Sequence, residues 1–411
     1  MEKYWLWLSL LEKISLREKH RVLAHFRNPR ELFEADEPSL EALDLPKKLR
    51  DPLMNKSLAA AEKVLASCAD AGIGILPLED PRFSGALRGI PEPPLVLYWR
   101  GRLPELNRLP LIGVVGTRKA SDYGLGTARE MGRGLSRQGA AVVSGMAEGI
   151  DAAATLGALE GGGTVLGILG SGVDIVYPKC NRELFRAMEE RGCLLSEYPP
   201  GTSPAPWRFP QRNRIISGLS KAVLVVEAPE KSGSMITARC AMEQGRDIFV
   251  VPGALGNPGF TGSLELLKTG FGTLATCPWD ILKNYADQYP GLLTENPEVP
   301  VHTVLPELPE LSPPSKTHPH RAASSGRNRE TAAKKADETP ASPSPSRPPV
   351  SGLSDRDNQI LAALSDEETH VDSIKSATGL PTDAILSALT MLELKGCITT
   401  RDGVWVKISN H

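Results

Sequence analysis

From residue 110 to about residue 284, short apolar runs alternate with helix-patterned stretches, and this alternation restricts the fold more than any other feature of the chain. Leu111 to Val115 is such a run, followed by a helical stretch from Ser121 to Gln138. Ala141 to Ser144, a helix from about Gly149 to Leu159, and Thr164 to Leu169 come next. A helix near Asn181 to Glu190 leads into Leu194 to Glu197. Ala222 to Val226, a helix over Met235 to Gln244, Ile248 to Val251 and Gly272 to Ala275 complete the series. Runs that are apolar throughout, rather than at every second residue, belong to strands covered on both faces. With helices of ordinary length between them, they predict an α/β fold with a doubly wound, mainly parallel sheet.

A chain of 411 residues has room for further units on either side of this one. Residues 1–72 read as a small helical domain of the SAM or helix-hairpin-helix kind, broken at Asn28-Pro29, Pro38, Pro46 and Pro52. Its start, MEKYWLWLSLLEKISL, carries Glu2, Lys3, Glu12 and Lys13 and reads as an amphipathic helix rather than a signal peptide. Residues 73–109 are rich in Pro and Gly, contain one extended candidate, Leu95 to Trp99, and read as a connecting segment before the α/β domain of residues 110–286. Residues 287–351 lack periodicity and are rich in Pro, Ser and Thr, the composition of a disordered linker.

Periodicity resumes in residues 352–411. A helix near Asp355 to Leu364, a second over Val371 to Thr378, a third from Thr382 to Lys395 and a hairpin turning at Asp402-Gly403 predict a winged helix. Nine acidic residues face five basic ones there, and the third helix has no Arg or Lys before Lys395, which favours contact with protein over a major-groove role.

Net charge is only −2, so any nucleic-acid site has to be local. The six cysteines show no paired or zinc-type spacing, and no run of apolar residues is long enough to span a membrane. A cytoplasmic protein without a metal or other cofactor is expected.

Ligands of open parallel sheets bind beyond the carboxyl ends of the strands. Four such ends here are rich in small residues: Gly116-Thr117-Arg118, Ser144-Gly145, Gly170-Ser171-Gly172, and Lys231-Ser232-Gly233-Ser234 ahead of a helix. Glycines admit a ligand to the backbone, an arginine forks onto phosphate, and a helix start offers free N–H groups. The stretch Arg208 to Ala238 adds Arg208, Arg212 and Arg214 interleaved with Trp207 and Phe209. Cations beside aromatic faces suit a phosphate backbone that carries bases. Other readings of the same residues stay open. Arg212 and Arg214 could fasten a loop by pairing with Glu197 and Glu227, and Phe209 could be core.

The enzyme alternatives are thin. Gly124-Leu125-Gly126 begins like a dinucleotide fingerprint but has Arg129 in the third glycine's place, and no GxxxxGK[ST] occurs. Every histidine lies outside the α/β region, which leaves Asp151 and Glu227 as candidate catalysts, each equally suited to capping a helix or tying loops.

Taken in order, GTRKASDYG, SGMAEGID, GSGVDIVYP, SEYPPG, FPQRNRIISGLSKAVLVVEAPEKSGSMITA and VPG resemble the DNA-processing protein DprA (Smf) family over roughly residues 80 to 282. The resemblance implies an extended Rossmann-like domain that binds single-stranded DNA without catalysis, loads the RecA recombinase during natural transformation, and forms a homodimer. Carried onto this chain, the phosphate pocket comprises Gly116, Thr117, Arg118, Ser144, Gly145, Arg212, Asn213, Arg214, Lys231, Ser232 and Gly233, with Phe209 to stack a base. Nucleotide hydrolases of the same broad superfamily carry PGGxGTxxE, whereas KSGSMITARC has no acid two or three residues after Thr237. A nucleotide or nucleoside-phosphate hydrolase using the same pocket, and a transcription regulator acting through the winged helix, are the competing functions. Arg118→Ala or Arg214→Ala is expected to weaken oligonucleotide binding without unfolding the chain.

Overall fold

In the computed structural model the described residues are 1–43, 45–295 and, beyond them, 359–361, 363–364, 371–378, 380, 385, 389, 392, 398–401 and 404–407. The chain divides into two compact units, Met1–Arg321 and Ala322–His411.

Prolines shape the helical start differently from expectation, because several of them begin helices rather than end them. After α1 (Glu2–Leu10) and α2 (Leu16–Leu23), Asn28 caps α3 (Pro29–Glu34) with Pro29 at its first position, and Asp36 caps α4 (Glu37–Glu41). Proline's fixed φ and missing donor cost nothing in a first turn. Pro52 lies inside α5 (Lys47–Met54), and α6 (Ala59–Asp70) follows. Trp5, Leu6, Trp7 and Leu8 of α1 are buried, in one apolar cluster with residues of the α/β region such as Val142 and Leu194. The helical start and the sheet thus share a core.

Lys19 on α2 is buried in that packing, its Nζ donating to the Ser9 carbonyl at 2.6 Å. Burial pushes its ammonium down to about 8. An unfolded lysine titrates near 10.4, so between these values the unfolded chain holds more protons and stability rises with pH. Lys19→Met should flatten the change in urea midpoint between pH 8 and pH 10 relative to wild type.

Residues 73–109 do more than connect. They supply β1 (Gly74–Pro77), α7 (Gly85–Arg88) and β2 (Val96–Gly101), and both strands join the main sheet. The elements that follow are β3 (Leu111–Val115), α8 (Asp122–Arg137), β4 (Ala141–Ser144), α9 (Ile150–Glu160), β5 (Val165–Leu169), α10 (Arg182–Arg191) and β6 (Cys193–Ser196). Then come α11 (Arg208–Leu219), β7 (Ala222–Val225), α12 (Gly233–Glu243), β8 (Asp247–Val250), α13 (Thr261–Lys268), β9 (Thr273–Leu274) and α14 (Pro278–Leu282). The sheet order is β1-β2-β6-β5-β4-β3-β7-β8-β9, parallel from β6 to β9 with β2 and β1 added antiparallel at one edge.

Alternate residues of the central strands face opposite cores. Ile112, Val114, Val142 and Leu224 point to the side of α8, α9 and α10, while Leu111, Val115, Val143 and Val223 point to the side of α11 and α12. Both faces are covered, as the uninterrupted apolar runs require. Leaving β3, the chain winds towards β6 on one side and returns to β7 on the other, which places the topological switch point between β3 and β7.

Part of the stretch expected to be linker packs on this unit. The Thr294 N–H donates to the Gln138 carbonyl at 3.2 Å, and Gln138 Nε2 donates to the Glu295 carbonyl at 3.1 Å. The remainder of that stretch, residues 296–351, lies outside the described residues.

In the second unit, Val371–Thr378 is helical and β10 (Ile398–Arg401) pairs antiparallel with β11 (Val404–Lys407), across the two residues expected to turn. Ile360, Leu364, Ile374, Ile385, Leu389 and Leu392 are buried together. The last three stand at i, i+4 and i+7, the inner stripe of a helix.

Candidate nucleic-acid interface

At the switch point, a cavity of about 530 Å³ opens between the loops after β3 and β7 and the first turns of α11 and α12. Of the twelve residues singled out from the sequence, nine line it: Gly116, Thr117, Arg118, Phe209, Arg212, Asn213, Lys231, Ser232 and Gly233. A narrow gap of about 30 Å³ beside it is lined by Gly145 together with Arg118, Tyr177, Phe209 and Arg212.

Helix α11 explains why the arginines divide. The run Arg208 to Leu219, which the sequence presents as cations among aromatics, is helical. Phe209, Arg212, Asn213 and Ile216, at i, i+3, i+4 and i+7, share the face that lines the cavity. Trp207, Gln211 and Arg214 share the other face. Arg214 is therefore not a pocket residue. Its Nη2 makes a short ion pair with Glu197 Oε2, and the two side chains keep only 16% and 14% of their surface exposed. Burial pushes the Glu197 carboxyl up, against the pull of Arg214.

Ser144 is not a pocket residue either. It is fully buried, and its hydroxyl donates to the Val114 carbonyl at 2.8 Å, tying β4 to β3.

Arg212 is the deep cation of the site. It is 4% exposed, and its Nε and Nη1 are buried without a hydrogen-bond partner among the described residues. Burial pulls its guanidinium down to about 10, so it stays charged at neutral pH. The Asp151 carboxylate behind it is also buried and is pushed up by that burial, with Arg212 pulling the other way. Gly145 sits between the two groups. A Cβ there would lie 1.8 Å from Arg212 Nη1 and 2.5 Å from Asp151 Oδ2, so this position has no room for a side chain. The Gly145 N–H donates to Asp151 Oδ2 at 3.1 Å. Gly116 is constrained in the same manner by Ile150, whose Cγ1 would be 2.4 Å from a Cβ.

The opposite wall is the start of α12. Ser232 at its N-cap makes no capping bond to the helix, and Lys231 beside it is exposed. Free N–H groups and the positive end of the helix dipole therefore face the cavity next to a lysine, an arrangement suited to phosphate. Asn213 Nδ2 donates to the Gly233 carbonyl at 3.1 Å and fastens α11 to this turn. Thr117 is held between the loops after β3 and β7, its N–H donating to the Glu227 carbonyl at 2.7 Å and its hydroxyl accepting from the Lys119 N–H at 3.2 Å.

Among the described residues Glu227 pairs with no arginine. It accepts from the Ser121 N–H at 3.0 Å and the Ser121 hydroxyl at 2.7 Å, fixing the cap of α8. Asp151 is the one carboxylate lining the larger cavity among the described residues.

Two contributors were not picked out from the sequence. Tyr177 stacks on Phe209 with ring centroids 5.4 Å apart and planes 26° apart, and Lys119 lines the cavity beside Arg118. The tyrosine sits in GSGVDIVYP, a run that reads only as loop architecture without knowledge of which strand ends adjoin. Among the described residues no cluster of metal-ligating side chains occurs, and no helix is long and apolar enough to cross a membrane.

Fold and site define the class: an extended Rossmann-type protein whose switch-point pocket gathers cations and a helix N-terminus beside stacked ring faces. A family model described as DNA recombination-mediator protein A matches residues 74–286, and one described as the DprA winged helix domain matches residues 342–403. Protein Smf of Synechocystis is 33% identical over 329 residues, covering 79% of this chain and 78% of its own length. DNA processing protein DprA of Bacillus subtilis is 40% identical over 208 residues, covering 51% and 70% respectively. The X-ray structure of DprA from Streptococcus pneumoniae superposes with a TM-score of 0.56 at 29% identity, over 69% of this chain and 98% of that one. The chain belongs to the DNA recombination-mediator protein A (DprA/Smf) family.

Proposed function

We propose that this chain binds single-stranded DNA without regard to sequence and helps load the RecA recombinase onto it, during DNA uptake, natural transformation and recombination. It does so as a cytoplasmic homodimer and without turnover. The observation that carries the reading is the convergence of Arg118, Arg212, Lys231 and the α12 N-terminus on one cavity that also holds a stacked aromatic pair. Cations and N–H groups grip phosphates whatever the base, and ring faces accept any base. A dimer is supported by β9, which pairs on one side only and carries Leu274 49% exposed beside Phe271 62% exposed. The acidity of the winged helix suits contact with a protein partner.

The test is fluorescence anisotropy with a labelled oligothymidylate. Arg118→Ala and Lys231→Ala should each weaken binding about tenfold or more, the worth of a hydrogen bond to a charged group. With about four phosphates neutralised, log K should fall against log salt with a slope near −3, and the double variant should roughly halve it. Wild-type affinity and slope in folded variants would refute the pocket.

The position of Asp151 favours a second reading, since a buried carboxyl pushed up at the base of a cavity of about 530 Å³ resembles an acid poised for hydrolysis. Against it, Asp151 Oδ2 is engaged by the Gly145 N–H, and no acid follows Thr237 within three residues. Release of free base from nucleoside monophosphates, abolished by Asp151→Asn, would establish the hydrolase instead.

A further inference from the structure

The pocket contains two rings, and only one of them has a face to offer. Phe209 is taken up on several sides. Tyr177 stacks on it, the Arg118 guanidinium carbon lies over it 5.3 Å from the ring centre, and a Cβ on Gly170 would come within 2.8 Å of its Cδ1. Tyr177 is 38% exposed and lines the same cavity as Arg118 and Arg212. Among the described residues no further ring or cation stacks on Tyr177.

Trp207 is more exposed at 55%, but it belongs to the other face of α11. There it lies edge-on to Tyr198 and under the Arg208 guanidinium, whose carbon is 4.7 Å from its ring centre, and it does not line the cavity.

We propose that Tyr177, rather than Phe209, presents the face on which a base of the bound strand stacks, with Phe209 and Arg118 as its backing. The proposal rests on the single-stranded-DNA reading of the pocket. In this arrangement Arg118 serves twice: its guanidinium carbon lies over the Phe209 ring, and it adds charge to the cavity that receives phosphate.

The loop carrying Tyr177 is pinned at both ends. Asn181 Nδ2 donates to the carbonyls of Met146 and Ala147 at 3.1 and 3.2 Å, and the Gly172 N–H donates to the Thr202 carbonyl at 2.9 Å. Asp174 adds a further tie, accepting from the Gly201 N–H at 2.9 Å. A ring already held in place gives up little conformational freedom when a base arrives, which favours affinity.

The experiment uses the full wild-type chain and an oligothymidylate substituted with 5-iodouracil, irradiated and mapped by mass spectrometry. Affinities of variants are then measured for an ordinary and an abasic oligonucleotide of equal length. Crosslinking at Tyr177 is expected. Tyr177→Ala should weaken binding of the ordinary strand about five- to a hundredfold, the range for loss of one base–aromatic stack. The abasic strand should be unaffected, and Tyr177→Phe should restore wild-type binding. Crosslinking at Phe209 or Trp207 with none at Tyr177 would overturn the proposal, as would equal losses on both strands. If Arg118→Ala and Lys231→Ala also bind normally and the crosslinks fall outside the cavity, the pocket reading itself fails. If those two variants lose binding and only the Tyr177 results disagree, the pocket stands and the platform falls.

Discussion

A Gly145→Ala variant is expected to lose oligothymidylate binding by about ten- to a hundredfold, although alanine never touches the ligand. The added methyl would occupy the place of Arg212 Nη1, at 1.8 Å, and crowd Asp151 Oδ2 at 2.5 Å. The guanidinium has to leave its buried seat, and Asp151 is left without the countercharge that offsets its burial. Both a phosphate contact and some stability go with it, since separating buried opposite charges leaves each uncompensated. Arg212→Met is the matching control. It should show a similar fall in affinity, because the same donor is lost, and its difference from Gly145→Ala in thermal midpoint measures the strain of the methyl. Normal binding by Gly145→Ala beside impaired binding by Arg212→Met would mean that the arginine works equally well from a second position.

The second large effect falls on stability and leaves the pocket intact. Glu197→Gln leaves Arg214 without its carboxylate in a largely buried place behind α11. Breaking such a pair should cost about 3 kcal/mol, the low end of the buried range, because the two side chains retain some contact with water. For a unit of this size that lowers the thermal midpoint by roughly 5 °C. Replacing both partners, as in Glu197→Leu with Arg214→Met, should recover most of the loss, since no lone charge remains. The stable fraction of the single variant should bind oligothymidylate as wild type does. The structure thereby reverses the expectation for Arg214→Ala, which should unsettle the fold rather than weaken the grip directly.

Much of the sheet was legible because buried parallel strands must be apolar on both sides, and few other structures impose that on runs of four or five residues. Five consecutive strands from β3 to β7 coincide with such runs to within a residue or so. β1 was not legible. Gly74 and Pro77 bound a four-residue strand at the sheet's edge, where pairing on one side tolerates residues that a central strand would reject. The loops at the rim were legible as glycine clusters, since close approach leaves a compositional trace.

What stayed hidden is the direction in which side chains point. Arg212 and Arg214 are chemically identical and two apart, and only the helical turn between them sends one to the cavity and the other to Glu197. The reading as a ligand-facing stretch failed to see that turn, because Phe209, Pro210 and the surrounding cations mask its apolar periodicity. Ser144 was hidden for a similar reason: a hydroxyl at a strand end looks the same whether it meets a ligand or a neighbouring carbonyl. Tyr177 needed the tertiary fold, for its partner Phe209 is 32 positions away in the chain.

The two-sided character of α11 bears on how relatives of this chain are compared. One side of that helix lines the cavity and the other meets Tyr198 and Glu197, yet the two sets of residues are interleaved in a single short motif. Resemblance across the motif therefore mixes two kinds of inheritance, and a relative matching only at Trp207, Gln211 and Arg214 would share the packing against Tyr198 and Glu197 without sharing the cavity wall. Agreement at Phe209, Arg212 and Asn213 is the part that speaks to the cavity.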